Sequence, residues 1–284
     1  MANLKEIRSR ITSVSSTMKI TSAMKMVSAA KLKKSQDRMT NIKPYASGLS
    51  NVIQNLLPNI SSLDIQLTAN FSEKDRVLLI PITSNRGLCG GFNNNVFKKI
   101  QHYKKENVDV FGIGKKGIEL FKRNKYTLIG EEISVLDNPT LNSSKDISNR
   151  IINEFLNGRW SRVEIIYNKF KNAATQTPNS NQLLPILIDS TELTTAKQDY
   201  IFEPDKHKII NKLMPQKIHT QLFEAILNSI ASEHGARMTA MHKATDNAND
   251  LKNNLTLSYN RQRQAAITNE ILEIVAGAEA LKGA

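Results

Sequence analysis

Residues 4–43 read LKEIRSRITSVSSTMKITSAMKMVSAAKLKKSQDRMTNIK, with no proline or glycine anywhere in the run. Ile7, Ile11, Val14 and Met18 step by four, three and four, which draws one apolar stripe along a helix. Ile20, Met24 and Val27 are read as continuing it on a slightly rotated line, with Ala23, Ala29 and Ala30 beside them. Pro44 is predicted to kink the helix or end its first section, because it lacks an N–H donor and crowds the preceding turn. Ile42, Ala46, Leu49, Ile53 and Leu56 then resume the same spacing up to Pro58. A continuous helix over residues 4–57 would reach about 80 Å at about 1.5 Å per residue.

The other end of the chain reads the same way. Pro215 fits the first turn of a helix, where a missing N–H costs little. From there to Leu281 the only glycines are Gly235 and Gly277. Leu222, Ile226 and Ile230 mark one face, then Ala236, Ala240, Ala244 and Ala248 follow at spacings of four. Leu251 and Leu255 come next, and Ile267, Ile271, Ile274, Ala278 and Leu281 alternate four and three. Such a helix would extend about 100 Å. Small side chains bury little area unless a partner helix comes close, and Ser28, Ala29 and Ala30 offer a similarly small surface. An antiparallel coiled coil between the two termini is the economical solution. Gly235 is expected to interrupt the second helix.

Between them the period changes. Residues 76–83 form a short β-rich run that ends in the loop 84–91. Helices are predicted over residues 96–105, 115–123 and 146–157. Strands are predicted over 108–113, near 126–129, over 163–170 and 183–188, with a further candidate at 200–202. Residues 172–181 read as a polar turn. Strands alternating with short helices imply a mainly parallel, Rossmann-like α/β sheet. The expected organisation is an amino-terminal helix (1–58), a central α/β domain (59–204) and a carboxy-terminal helix (205–284) that pairs with the first.

Composition excludes several classes. The 284 residues are 40% hydrophobic and carry one cysteine, Cys89, so no intrachain disulfide can form. The net charge of +13 is uneven: residues 1–58 hold ten Lys/Arg against Glu6 and Asp37. A basic helix of this kind can face nucleic acid, anionic lipid or an acidic protein surface, or simply water. No run is long and apolar enough for a bilayer span. MANLKEIRSR lacks the apolar region of a secretory signal. A soluble cytoplasmic chain is expected, with peripheral attachment to a membrane complex left open.

Two glycine clusters resemble nucleotide loops. Gly112-Ile-Gly-Lys-Lys-Gly117 matches G-x-G-x-x-G, and Glu131 and Glu132 lie roughly where a ribose-binding acid belongs. The motif falls in the second strand–helix unit rather than the first, so a tight turn is the preferred reading. Arg86-Gly-Leu-Cys-Gly-Gly-Phe-Asn93 lacks the GK[ST] ending of a P-loop. Cys89 has no companion base and is read as a small buried thiol. The five histidines (102, 207, 219, 234, 242) show no metal-site spacing, and no Ser/His/Asp arrangement stands out. No cofactor and no catalysis are expected.

Three separated blocks resemble one family. They are Lys5-Glu-Ile-Arg-Ser-Arg-Ile11 with Met18-Lys-Ile-Thr-Ser-Ala-Met24 and Lys33-Lys-Ser-Gln-Asp-Arg38, then Arg86-Gly-Leu-Cys-Gly-Gly91, then Ala244-Thr-Asp-Asn247 with Tyr259-Asn-Arg-Gln-Arg-Gln-Ala-Ala-Ile-Thr268 and 270–276. In that order they resemble the γ subunits of F-type ATP synthases over essentially the whole chain. The resemblance implies a non-catalytic rotor. Its terminal helices would form an asymmetric shaft inside a head of α and β subunits, and its α/β body would form a foot on the membrane c-subunit ring beside the ε subunit. Proton flow would turn the ring and shaft, which bias each β site toward a different conformation.

By the same resemblance Met24 lies beside an acidic loop of the β subunit, and Arg237 is a shaft arginine associated with coupling. Arg263, Gln264, Thr268 and Glu270 resemble carboxy-terminal positions at or near the β contact and within the shaft packing. Tyr200 and Glu203, in Tyr200-Ile-Phe-Glu-Pro204, belong to the foot near the c ring or ε. Packing of one helix on the other is the alternative at each position. Arg237 and Arg263 are favoured as contacts because long cations are costly in a dry seam. The two-cysteine insertion of chloroplast relatives is missing, and the lack of a presequence favours a bacterial protein at the cytoplasmic face of the inner membrane. The rivals are a nucleic-acid-binding helical protein, disfavoured because residues 1–43 lack aromatic side chains for stacking, and a Rossmann-type enzyme using Gly112–Gly117.

Overall fold

The computed structural model describes residues 4–56, 66–68, 75–186, 203 and 205–282, without the side chains of 66 and 279–282. The ten main elements, in order, are α1 (Leu4–Leu56), β1 (Val77–Pro81), α2 (Phe92–Ile100), β2 (Val108–Ile113), α3 (Lys115–Arg123), β3 (Thr127–Glu132), α4 (Leu141–Leu156), β4 (Arg162–Phe170), β5 (Gln176–Leu184) and α5 (Lys206–Lys282). The chain divides into two compact units, residues 28–237 and residues 1–27 with 238–284.

In the first unit the strands form one sheet in the order β3-β2-β1-β4-β5. The β1, β2, β3 and β4 neighbours are parallel, with Val77 opposite Val108 and Arg162. Every residue of β1 and β2 is buried, as expected for parallel strands covered on both faces. Successive side chains alternate between two cores. Leu78, Ile80, Ile82, Val163 and Ile165 face α4 and parts of the long helices, namely Leu49, Ile53 and Leu56 of α1 and Ile210 through Ile230 of α5. Val77, Leu79, Val108, Val110 and Ile166 face α2 and α3 through Val96, Phe97, Ile100 and Phe121. The one carboxylate in β2, Asp109, is buried but satisfied: it accepts from Arg76 (2.8 Å) and from Trp160 Nε1 (2.9 Å).

Several expectations are corrected. Residues 172–181 are not all turn. The chain reverses over 171–175, where Asn172 Oδ1 accepts from the Ala174 and Thr175 amides, and then runs back as β5, antiparallel to β4. Pro178 fits because β5 is an edge strand with amides to spare. Residues 187–188 and 200–202 lie outside the described residues. Helix α4 starts at Leu141 rather than residue 146, capped by Thr140 with Ser143 as its reciprocal partner. Pro44 does not end α1. Pro215 lies inside α5, which begins at Lys206. An internal proline costs about 3 kcal/mol; burying Ile210 and Met214, both in the turns before Pro215, offsets this at about 1.5–3 kcal/mol each.

Two glycines of 112–117, Gly114 and Gly117, are explained by Thr83, which follows β1. Its hydroxyl donates toward the Ile113 and Gly114 carbonyls (3.0 and 3.1 Å) and accepts from the Gly117 amide (3.0 Å). A Cβ on Gly114, at φ +98°, would come within 2.3 Å of the Thr83 carbonyl oxygen; one on Gly117 would meet the Thr83 side chain at 2.3 Å. Gly235 is similar in kind: α5 passes the β4–β5 turn so closely that a Cβ would sit 3.2 Å from the Ala173 carbonyl. The helix is continuous there. Gly114→Ala is expected to cost about 3 kcal/mol or more in urea unfolding, and Gly117→Ala about 1–3 kcal/mol. Adding Thr83→Ala should partly rescue the second substitution but not the first, whose obstacle is backbone.

Candidate functional site

In an open parallel sheet, ligands bind beyond the carboxyl ends of the strands where the order reverses, here between β1 and β4. That place is filled by the chain itself. Thr83 occupies the helix amide that would hold a phosphate, as described above. Beside it, loop 84–91 is folded on its own hydrogen bonds. Asn93 Oδ1 accepts from the Ser84 amide (2.9 Å), and Ser84 Oγ donates to the Arg86 carbonyl (2.8 Å). Cys89 is buried between them, with Asn93 Nδ2 at 3.5 Å from its sulfur. Gly90 and, unusually, Leu88 take positive φ (59° and 65°). Leu88 is left 65% exposed at the loop tip.

Helix α5 holds this loop. Arg237 donates to the Arg86 and Gly87 carbonyls (3.0 and 3.2 Å) and pairs with Glu233 at 2.6 Å. Both side chains are buried. Burial pushes the Glu233 carboxyl above its usual range, against the opposing pull of Arg237. Neighbouring His234 is held down to about 4 by burial first, then by the Arg237 and Lys31 charges. Its Nδ1 has no hydrogen-bond partner among the described residues. No group of three or more His, Cys, Asp or Glu side chains among the described residues could hold a metal ion. Nor is any described helix long and apolar enough to cross a membrane.

The second unit is a two-helix seam. Thr21 and Thr245 hydroxyls meet at 2.8 Å, and Arg8 donates to the Tyr259 hydroxyl (2.7 Å) while lying over its ring. Residue numbers rise along α1 as they fall along α5, so the pair is antiparallel. Threonine side chains are short, so a hydroxyl–hydroxyl bond brings the two backbones close. The inward stripe of α1 runs through Ile7, Ile11, Val14, Met18, Thr21 and then Met24 and Lys25. The rotated stripe read from Ile20 and Val27 is corrected: those residues are 61% and 56% exposed, as is Met26 at 65%. A strict four–three repeat selects Thr21, whose size suits close packing, over the larger neighbours.

Carried to the start of α1 at Leu4, the register runs out near residue 262 of α5. The helix continues for about 20 more residues, about 30 Å. Every residue from 267 to 278 is exposed. Among them Ile267, Ile271, Leu272, Ile274 and Val275 form an apolar surface of the kind that marks a protein contact.

The expected site residues fall in separate places. Met24 is half-buried on α1. Arg263, Gln264, Thr268 and Glu270 are exposed along one stretch of α5, where Thr268 Oγ1 donates to the Gln264 carbonyl (2.9 Å). Arg237 lies in the other unit, engaged as described. Glu203 is exposed, and Tyr200 lies outside the described residues. Sequence reading missed Glu233, although its i,i+4 spacing to Arg237 signalled an ion pair. It also missed the exposed Leu88, whose setting depends on loop geometry.

Arg237→Met is expected to lower stability by about 3–5 kcal/mol in urea unfolding, because it strands a buried carboxylate and two carbonyls. Glu233→Gln added to it should recover part of the loss. His234 gives a pH signature. Its unfolded value is 6.5 and its folded value about 4, so between them only the unfolded chain binds the proton. Stability is therefore whole above pH 6.5 and declines as pH falls toward 4, by on the order of 2–3 kcal/mol. His234→Leu should flatten that part of the unfolding-versus-pH curve.

Comparison with known proteins agrees with this architecture. The family described as ATP synthase matches residues 3–281. The chain is 53% identical to the ATP synthase gamma chain of Flavobacterium johnsoniae, covering all of both chains, and 42% identical to that of Pelagibacter ubique over 99% of this chain and all of the relative. Among solved structures it is similar to a chain of the Tetrahymena thermophila mitochondrial ATP synthase central stalk and c ring, with 28% identity and a TM-score of 0.61 over 79% of this chain and 99% of the other. A chain of the Euglena gracilis mitochondrial ATP synthase shares the fold, at 19% identity and a TM-score of 0.71 over 98% of this chain and 94% of the other. Family match and full-length identity converge with the two architectures, a paired two-helix seam and a parallel sheet: the chain belongs to the ATP synthase gamma chain family.

Proposed function

We propose that this chain is the central-stalk rotor of an F-type ATP synthase, with no catalytic residue, cofactor or metal of its own. Rotation of the c-subunit ring, driven by proton flow, turns the shaft, and the shaft cycles the catalytic β subunits through ATP synthesis or hydrolysis. The partners are the α and β subunits of the head, the ε subunit and the c ring, with membrane association through the complex and no nucleic acid. It would work at the cytoplasmic face of a bacterial inner membrane. Residues 1–58 and 205–284 serve as the shaft, and 59–204 as the foot.

The observation that carries this reading is the end of α5, exposed from residue 267 to 278 and unpaired among the described residues. Of the described residues in the two-helix unit only Ile7, Met241 and Ala248 are buried. At about 25 cal/mol per Å² of apolar surface removed from water, so thin a seam stabilises itself weakly and gains much from an enclosing sleeve. Arg263, Gln264, Thr268 and Glu270 lie on or beside the exposed stretch, as residues that touch the head should. An asymmetric rod makes different contacts with three chemically identical subunits and so biases each toward a different state. A turning shaft needs weak, solvated charge pairs rather than fixed buried ones, which suits the basic surface around Met24. Arg237 in this reading acts through loop 84–91, setting the position of Leu88. Glu203 and Tyr200 serve the foot.

Reconstitution with α and β subunits tests the proposal. The chain should co-purify with them and raise ATPase turnover, and Met24→Glu should weaken coupling of proton flow to synthesis. Absence of both co-purification and stimulation would overturn the rotor assignment; normal synthesis with Met24→Glu would remove that contact from it.

A further inference from the structure

The ends of α2 and α3 build a basic pole that the rotor reading leaves unused. The last turn of α2 carries Lys98 and Lys99, and the last turn of α3 carries Lys122 and Arg123. Phe97 and Phe121 pack at 5.7 Å, so the two helix ends are neighbours. Lys104 and Lys105 precede β2, and Lys125 precedes β3; the two strands are parallel and adjacent, which brings both approaches to one end of the sheet. Lys105 lies 5.4 Å from the centre of the Tyr126 ring, which ties the two approaches together. Of these cations Lys122 pairs with Glu131. Lys98, Lys99, Lys104, Arg123 and Lys125 have no ion-pair partner among the described residues, and between residues 98 and 125 Glu106 is the one acid outside an ion pair.

Cations at helix carboxyl ends complement the helix dipole, which accounts for Lys98, Lys99, Lys122 and Arg123. It does not account for Lys104, Lys105 and Lys125, which lie beyond those helices. The position of the pole is informative. His219 of α5 meets Asn149 midway along α4, and Ser229 and Ser232 reach the Ile82 and Asn168 carbonyls at the carboxyl ends of β1 and β4. Helix α5 therefore advances away from the basic pole, and its start, with Glu203 just before it, lies toward that pole.

We propose that this pole is held near the anionic headgroups of the lipid surface, an inference that rests on the rotor reading for its setting. Two observations favour lipid over a discrete acidic protein. Among the described residues from 92 to 132 no large hydrophobic side chain is left exposed, so the pole lacks the apolar or aromatic anchor that protein interfaces centre on. A charged bilayer surface also looks the same at every angle of a turning body. A fixed acidic partner would instead add an angle-dependent barrier. Each lysine or arginine near such a surface changes partitioning by about fivefold, within about one Debye length.

Full-length chain is sedimented with phosphatidylcholine vesicles with and without phosphatidylglycerol, at low and physiological salt. Binding that requires the anionic lipid and weakens with salt is expected. Lys98→Gln, Lys104→Gln and Arg123→Gln combined with Lys125→Asn, the last at a positive φ that asparagine tolerates, should reduce it at least about tenfold. Removing four charges from α1 (Lys19, Lys25, Lys33 and Lys34 to Gln) should reduce it less. A larger loss from the α1 variant, equal binding to neutral vesicles, or no binding would overturn the proposal. So would binding of duplex DNA at physiological salt, lost in the pole variant, without vesicle binding. Stimulation of α and β ATPase by the pole variant should match wild type, which separates failure of the lipid surface from failure of the rotor assignment.

Discussion

Between Ile210 and Ile230, helix α5 buries its apolar face against the sheet, with Ile210, Ile218, Leu222 and Ile226 fully enclosed. Past Met241 the same helix buries almost nothing, and from residue 267 to 278 it is exposed on every side. This unequal burial governs the rest. An isolated helix is marginal in water, so most helical stability comes from packing. The first third of α5 draws that packing from its own domain. The remainder draws it from α1 for a limited length and then from nothing within the described chain. A helix so constructed is completed by partners, which is why the family match and the geometry point the same way.

The α/β unit shows how the glycine pattern of a nucleotide loop can serve packing within a parallel sheet. Its strand order provides the crevice, and its β2–α3 turn even spells the glycine pattern. Thr83 turns both to structural use, taking the Gly117 amide with its hydroxyl and filling the space the glycines leave. Loop 84–91 then covers the neighbouring strand end, fastened to α5 by Arg237. A buried ion pair contributes little net stability on its own. Here Arg237 also satisfies two loop carbonyls, so the pair fixes the position of a loop rather than merely adding energy.

The elements with strong periodicity were legible. Helix α3 and strand β4 lie within a residue of where apolar spacing placed them, and the fully buried β1 reads directly from its unbroken aliphatic run. Strand β5 was hidden because its residues are polar and include Pro178, and edge position is not written in composition. The start of α4 was hidden because Thr140 pairs with Ser143 rather than with the Glu or Gln of a usual capping box. Ile20 and Val27 were misplaced for a different reason. Hydrophobicity alone favours them over Thr21, whereas the seam selects by phase and by size.

The sequence by itself determined two long helices, a parallel sheet between them and the family that combines them, because periodicity and local turn chemistry act over a few residues. Only the tertiary structure decided which apolar residues face inward, where the helical register ends, and that Arg237 is buried against loop 84–91. Those outcomes depend on residues more than a hundred positions apart meeting in space. No local pattern encodes such a distance.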